Sequence, residues 1–262
     1  MNIVIIGTGN VAYHIADSFK NNSKLNLFQA FNHSKSKDAK NYSKYFECDL
    51  VTSYDAIDRN ADLYIIAVKD DAIVEVVKNL IPLKFHGMVI HTSGSVDLMA
   101  LKNVASSTGV FYPLQTFYKG AEINWKTTPV LLEANSKSGL NRLQKIASAI
   151  SGNVKVMDSK SRLQVHLAAV FACNFTNALY ASAYEIIQKN LSKKDTNLLQ
   201  PIILHSFQKL QKVQPKKAQT GPAMRNDQTV IQKHLTLLKN EKQLSQVYKL
   251  LSDLIITQQN SK

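Results

Sequence analysis

Asn2-Ile3-Val4-Ile5-Ile6-Gly7-Thr8-Gly9-Asn10-Val11-Ala12 is the stretch that decides the fold. Its first five residues are a continuous β-branched run, as a strand buried on both faces of a parallel sheet should be. A glycine turn follows at once and opens a helix expected over Asn10–Asn21. Gly7 lets the chain turn tightly. Gly9 leaves the backbone bare, so that a pyrophosphate can approach it. Ala12 lets helix and strand pack closely, and Thr8, Asn10 and Val11 complete the turn. The free N–H groups at the positive end of the helix then face the phosphates. Between a strand and a helix this pattern marks a dinucleotide site. An ordinary tight turn in an α/β sheet is the plainer alternative.

Outward from this turn, apolar runs at Leu27–Phe31, Leu63–Val68, Met88–His91, Val110–Tyr112, Val130–Glu133 and Val154–Met157 read as strands. Asp71–Leu80 and Gly139–Ser151 read as helices between them. Alternation of this kind predicts a Rossmann-like α/β domain with a doubly wound parallel sheet. After Lys155–Ser161 only helical periodicity remains: Ser161–Lys189, Asp195–Gln211 (with Pro201 inside or at its true start), Asp227–Leu238 and Glu241–Gln258. Two domains are expected, 1–157 for the dinucleotide and 158–262, all-α, for substrate and dimerisation.

The charge divides in the same way. The chain of 262 residues carries 32 Lys+Arg and 19 Asp+Glu, a net of +13. Residues 1–155 hold 17 and 13 of these, and residues 156–262 hold 15 and 6. The basic excess thus falls in the helical half. It is scattered over several helices without an aromatic platform, so nucleic acid ranks well below a small-molecule ligand as partner. No apolar stretch is long enough for a membrane span. Met1–Gly7 lacks the basic region of a signal peptide, and Cys48 and Cys173 are too few for a disulfide scaffold or a cysteine-rich zinc site. The expectation is a cytoplasmic protein with free thiols and no metal.

The second strand bears on the cofactor. An NAD site usually ends this strand with Asp or Glu, which accepts from the ribose hydroxyls. Here it ends Phe31-Asn32-His33-Ser34-Lys35-Ser36-Lys37, with no acid before Asp38. Asn32, Ser34 and Lys35 can donate to a 2′-phosphate, which favours NADP(H). The plain alternative is a solvated loop. Two further strand ends should face the same cleft. At Ala67-Val68-Lys69-Asp70-Asp71, Val68 and Lys69 are expected to touch the cofactor, and an Asp to cap the next helix. At His91-Thr92-Ser93-Gly94-Ser95, a ligand ring could pass close to Gly94. His91 either touches the cofactor or is a buried, hydrogen-bonded histidine. Tyr112-Pro113-Leu114-Gln115 after the next strand could form a pocket wall, with Tyr112 itself expected in the core rather than as a contact.

In the helical half, His166, Val170, Asn174 and Asn177 share one face of an α-helix. His166 is the candidate acid/base, Asn174 and Ser93 the candidate orienting groups. Arg225, just beyond Gly221-Pro222, has the chemistry to clamp an anionic substrate. Asp227 is placed to cap the following helix.

Gly7–Ala12 (GTGNVA), His91–Gly94 (HTSG), Tyr112–Phe117 (YPLQTF), His166–Leu179 (HLAAVFACNFTNAL) and Thr220–Asp227 (TGPAMRND) together resemble a bacterial family. That family joins a Rossmann-like domain to a helical domain of unknown function. More distantly the chain is similar to the 6-phosphogluconate-dehydrogenase-like superfamily, which includes pyrroline-5-carboxylate reductases, prephenate dehydrogenases and deazaflavin-dependent NADP oxidoreductases. The resemblance implies that the first long helix of the second domain faces the nicotinamide, and that helical domains pair in a homodimer. His166 matches the first of three prephenate dehydrogenase positions on this helix, but Asn174 and Phe175 stand at the other two. Val170 stands where β-hydroxyacid dehydrogenases carry a lysine four residues before an asparagine. The combined expectation is an NADP(H)-dependent oxidoreductase acting on a small anionic molecule. The alternative is a non-catalytic NADP(H)-binding sensor or interaction module.

Overall fold

The computed structural model describes residues 1–20 and 22–260. Asn21, the expected end of the first helix, and the last two residues of the expected 158–262 domain lie outside the described residues. The chain forms two compact units, Met1–Asn174 and Phe175–Lys262.

The first unit is built on an eight-stranded sheet with the order β3-β2-β1-β4-β5-β6-β7-β8. The strands are β1 Asn2–Ile6, β2 Asn26–Phe31, β3 Asp49–Val51, β4 Leu63–Ile66, β5 Met88–His91, β6 Thr108–Pro113, β7 Pro129–Ala134 and β8 Asn153–Val156. The helices are α1 Asn10–Phe19, α2 Lys37–Phe46, α3 Ile73–Leu80, α4 Lys137–Ser148 and α5 Ser159–Ala169. Side chains alternate across a strand, and β1 shows why both faces are covered. Ile3 and Ile5 join one core with Ile15 and Phe19 of α1, Tyr42 of α2 and Leu143 of α4. Val4 and Ile6 join the other with Ile73, Val77 and Leu80 of α3. Strand order reverses between β1 and β4, and ligands of open α/β sheets bind at the carboxyl ends beside such a switch point.

The sheet is not wholly parallel. β7 runs antiparallel to β6, with Tyr112 opposite Leu131, and β8 then runs parallel to β7. A parallel partner needs a crossover, usually helical. The segment joining β6 to β7 contains no helix, and the chain reverses. Two elements carry too little signal to be read from sequence. α2 buries only Ala39, Tyr42 and Phe46 among lysines and polar residues. β3 has three residues.

The second unit contains α6 Thr176–Asn190, α7 Gln200–Leu210, α8 Pro215–Ala218, α9 Gln228–Leu237 and α10 Lys242–Asn260. Pro201 lies in the first turn of α7, where its missing N–H costs nothing. Asp227 caps α9, accepting from the Val230 amide at 3.1 Å. The helix expected over Ser161–Lys189 is interrupted by a π-helical stretch, Val170–Phe175.

Candidate active site

The glycine turn sits at the switch point. Gly7 has φ +105°, and its amide donates to Phe31 O at 2.8 Å. A methyl group on Gly7 would lie 2.6 Å from Ala67 O, at the carboxyl end of β4. Gly9 differs. It has an ordinary φ of −79°, it starts α1 without any side-chain cap, and the first turn holds no acid. A methyl group there would meet nothing within 4 Å. An uncapped helix start of this kind has the chemistry to hold an anion. Ala12 is wholly buried, as close helix–strand packing requires. Thr8 and Val11 are half-buried. Asn10 Nδ2 donates to Phe117 O at 3.1 Å, and His14 Nε2 meets Tyr118 O at 2.8 Å. The segment after β6 thus folds over the first turns of α1.

His33, Ser34 and Lys35 are exposed past β2, while Asn32 is half-buried. Asn32 Nδ2 is engaged with Ser34 O at 2.8 Å, and Ser36 caps α2. The nearest acid, Asp38, pairs with Lys119 at 3.2 Å.

At the next strand end Val68 is half-buried, and its Cγ1 lies 3.1 Å from where a Gly7 methyl would stand. Lys69 is exposed. The capping role expected of Asp70 or Asp71 is not found. No side chain caps the helical segment here, and Asp70 Oδ2 accepts instead from Ser95 Oγ at 2.5 Å.

The HTSGS segment decides one alternative, for His91, and corrects the expectations for Ser93 and Gly94. His91 is 0 % exposed, so its side chain cannot touch a cofactor. Its Nδ1 accepts from the Ser93 amide at 3.2 Å. Burial, helped by the nearby Arg162 cation, pulls the imidazole down to about 4 and keeps it neutral. Ser93 is also buried, and its hydroxyl accepts from the Ser95 and Val96 amides at 3.1 and 3.0 Å. Its hydroxyl is taken up in shaping the turn. Gly94 leaves no room for a passing ligand ring, because Tyr112 and His166 occupy that space. A methyl group on Gly94 would meet Tyr112 Cζ at 2.6 Å and His166 Nδ1 at 2.8 Å. Tyr112 is half-buried at the end of β6, and its hydroxyl lies 3.1 Å from His166 Nδ1. Burial pushes the phenol up to about 12. The Asp70 carboxylate adds to this and Arg162 opposes it.

A buried ion pair fixes His166. Asp158 caps α5, accepting from the Ser161 amide at 2.7 Å. One turn on, Arg162 is 1 % exposed and binds Glu133 of β7, with Nη2 donating to Val96 O at 2.6 Å and to Ser159 Oγ at 3.1 Å. Ser159 Oγ also receives the Leu98 amide at 3.0 Å. α5 is thereby fastened to the sheet and to the HTSGS turn, which explains why it belongs to the first unit. Asn174 is exposed at the end of that unit. A π turn takes an extra residue, so the α-helical spacing that aligned Asn174 with His166 does not hold. Arg225 lies exposed in the second unit, on the turn between Gly221 and α9. Gly94, Ser95, Asp70, Tyr112 and His166 are therefore the groups gathered at one place. Arg162 had no role in the sequence reading, and Tyr112 and Asp70 had only structural ones, in the core and as a helix cap.

Residues 1–90 match the oxidoreductase family with an NAD-binding Rossmann fold. Residues 128–255 match a domain of unknown function, DUF2520. A candidate NADP oxidoreductase from Bacteroides fragilis is 35% identical, over 98% of each chain, with a TM-score of 0.91. The chain belongs to this family of Rossmann-fold oxidoreductases with a DUF2520 domain. A protein from Thermotoga maritima shares the fold at 20% identity, over 99% of this chain and 100% of its own, with a TM-score of 0.79. Pyrroline carboxylate reductase from Plasmodium falciparum, solved with NADP bound, shares it more loosely: 14% identity, 99% and 98% coverage, TM-score 0.60. No curated protein matches. In family context, β1 and its glycine turn lie within the Rossmann match and α5 within the DUF2520 match. The Arg162–Glu133 pair therefore joins α5 to a strand that is itself inside the second match.

Proposed function

We infer that the protein is an NADP(H)-dependent oxidoreductase that moves a hydride to or from a small, anionic substrate. The observation that carries this reading is the uncapped start of α1 beside the bare face of Gly9. The absence of an acid from Asn32 to Lys37 supports the phosphorylated cofactor. Bound NADP(H) would supply the hydride chemistry at its nicotinamide. The residues present fit that group. Gly7 and Gly9 clear the approach to the α1 amides, which would hold the pyrophosphate. His33, Ser34 and Lys35 are exposed where a ribose phosphate could be read. His166, beside the Tyr112 hydroxyl at the carboxyl end of β6, is the candidate acid/base, and Arg225 is the candidate anion clamp.

Full-length protein is expected to oxidise NADPH in the presence of a cyclic imine or a 2-oxo acid. Binding of NADPH without turnover of any acceptor would favour a binding module. Lys35→Glu should weaken NADPH by at least about tenfold, roughly 1.4 kcal/mol, and leave NADH unchanged in a fluorescence titration.

The partner in this reading is a second copy of the chain. Among the described residues of the second unit only Ala223, Ile231 and Ser252 are buried, while Ile202, Phe207 and Leu210 of α7 and Leu250 and Leu254 of α10 stand exposed. Helices with so little covered surface cannot offset their chain entropy alone. Light scattering should give twice the 29.3 kDa chain mass. Phe207→Glu should shift it towards the monomer, and a monomeric wild type would contradict the pairing.

A further inference from the structure

We propose that Tyr112 hands the substrate its proton and that His166 refills it. The proposal rests on the reductase reading and adds the proton path. Tyr112 stands at the carboxyl end of β6, where ligands of this sheet type bind. Its hydroxyl is 3.1 Å from His166 Nδ1, and the two rings meet edge to face at 5.9 Å between centroids. His166 Nδ1 is therefore already engaged with the phenol. Gly94 is what allows the meeting, since a single added carbon would overlap both tips. A phenol is protonated at neutral pH and enters the step as an acid, and burial raises this one further, to about 12.

Bound NADPH would supply a hydride to the substrate carbon, which would leave an electron pair on its nitrogen or oxygen. That pair takes the Tyr112 O–H proton. The Tyr112 oxygen takes the Nδ1 proton of the His166 imidazolium as its own O–H bond breaks. His166 is left neutral with its remaining proton on Nε2, and Nδ1 regains a proton from water. The sum is one hydride and one solvent proton added across a C=N or C=O bond.

The test uses the full-length protein and three readouts: NADPH affinity, NADPH oxidation with cyclic imines and 2-oxo acids, and the ¹⁵N signal of His166. Tyr112→Phe keeps the ring and removes only the hydroxyl. It should lower kcat at least about 100-fold, in the range of general acid catalysis, with NADPH affinity within about twofold. The Nδ1 signal should move as its partner is lost. Gly94→Ala keeps both acidic groups but separates them, and a similar loss of kcat is expected. Full turnover in either variant, or an unmoved Nδ1 signal in Tyr112→Phe, would overturn the relay while leaving the reductase reading standing. Wild-type protein that binds NADPH and reduces no acceptor contradicts the reductase reading, and the relay with it.

Discussion

Arg162→Ala should cost the protein about 3–5 kcal/mol, the range for breaking a buried ion pair from one side. At that size, the melting temperature should fall on the order of 10 °C. The loss has three sources. Glu133 keeps its charge in a largely enclosed place without its cation. Val96 O loses a donor, and the hydroxyl of Ser159 loses one of its contacts. A cavity replaces a side chain that is 1 % exposed. Arg162 Nε has no partner among the described residues, so the pair is imperfectly satisfied even in the native state. Replacing both partners by apolar residues, Arg162→Met with Glu133→Leu, should therefore be less damaging than Arg162→Ala alone. Thermal unfolding of the two variants checks the order. A fall of under about 1 kcal/mol for Arg162→Ala would mean that α5 is held mainly by other contacts.

Gly9→Ala should separate binding from folding. The added methyl meets no protein atom, and φ −79° suits any residue. Exchanging glycine for alanine at an N-cap costs no more than about 1 kcal/mol. In the function proposed above, the same methyl would stand where the pyrophosphate binds. NADPH affinity should fall at least about 100-fold, roughly 2.7 kcal/mol. Gly7→Ala should behave in the opposite manner. Its positive φ and the approach of Ala67 O at 2.6 Å make it a folding defect first. Strain at such a position costs about 1–3 kcal/mol, and the clash with backbone adds to it. Melting curves and NADPH titrations on both variants give the comparison. If Gly9→Ala binds NADPH as the wild type does, the glycine turn is an ordinary one.

Legibility in the sequence followed local pattern. β1, the glycine turn and β5 could be read because an uninterrupted apolar run and fixed glycine spacing are local signals. The Asp227 cap was legible for the same reason. α2 was not, because three buried residues in ten leave most of its sequence polar. The antiparallel turn from β6 to β7 was hidden because strand direction depends on the connection and not on the strand. Within the site, His166 stood out as a polar residue on a helix rich in apolar ones. Its partner did not, since a tyrosine at a strand end reads as core. Ser93 and His91 show the reverse. Both have reactive side chains at the expected strand end, and both are consumed by the turn they build. Only the contact of Gly94 with Tyr112 and His166, at positions far apart in sequence, shows what that glycine is for.

The most direct test is a pair of titrations of the full-length protein, with NADPH and with NADH, followed by nicotinamide fluorescence. Saturable binding of one NADPH per chain, tighter than NADH by at least about tenfold, is the result predicted from the bare Gly9 face and the acid-free end of β2. Binding of NADH as tight as NADPH, or no binding of either, would contradict it.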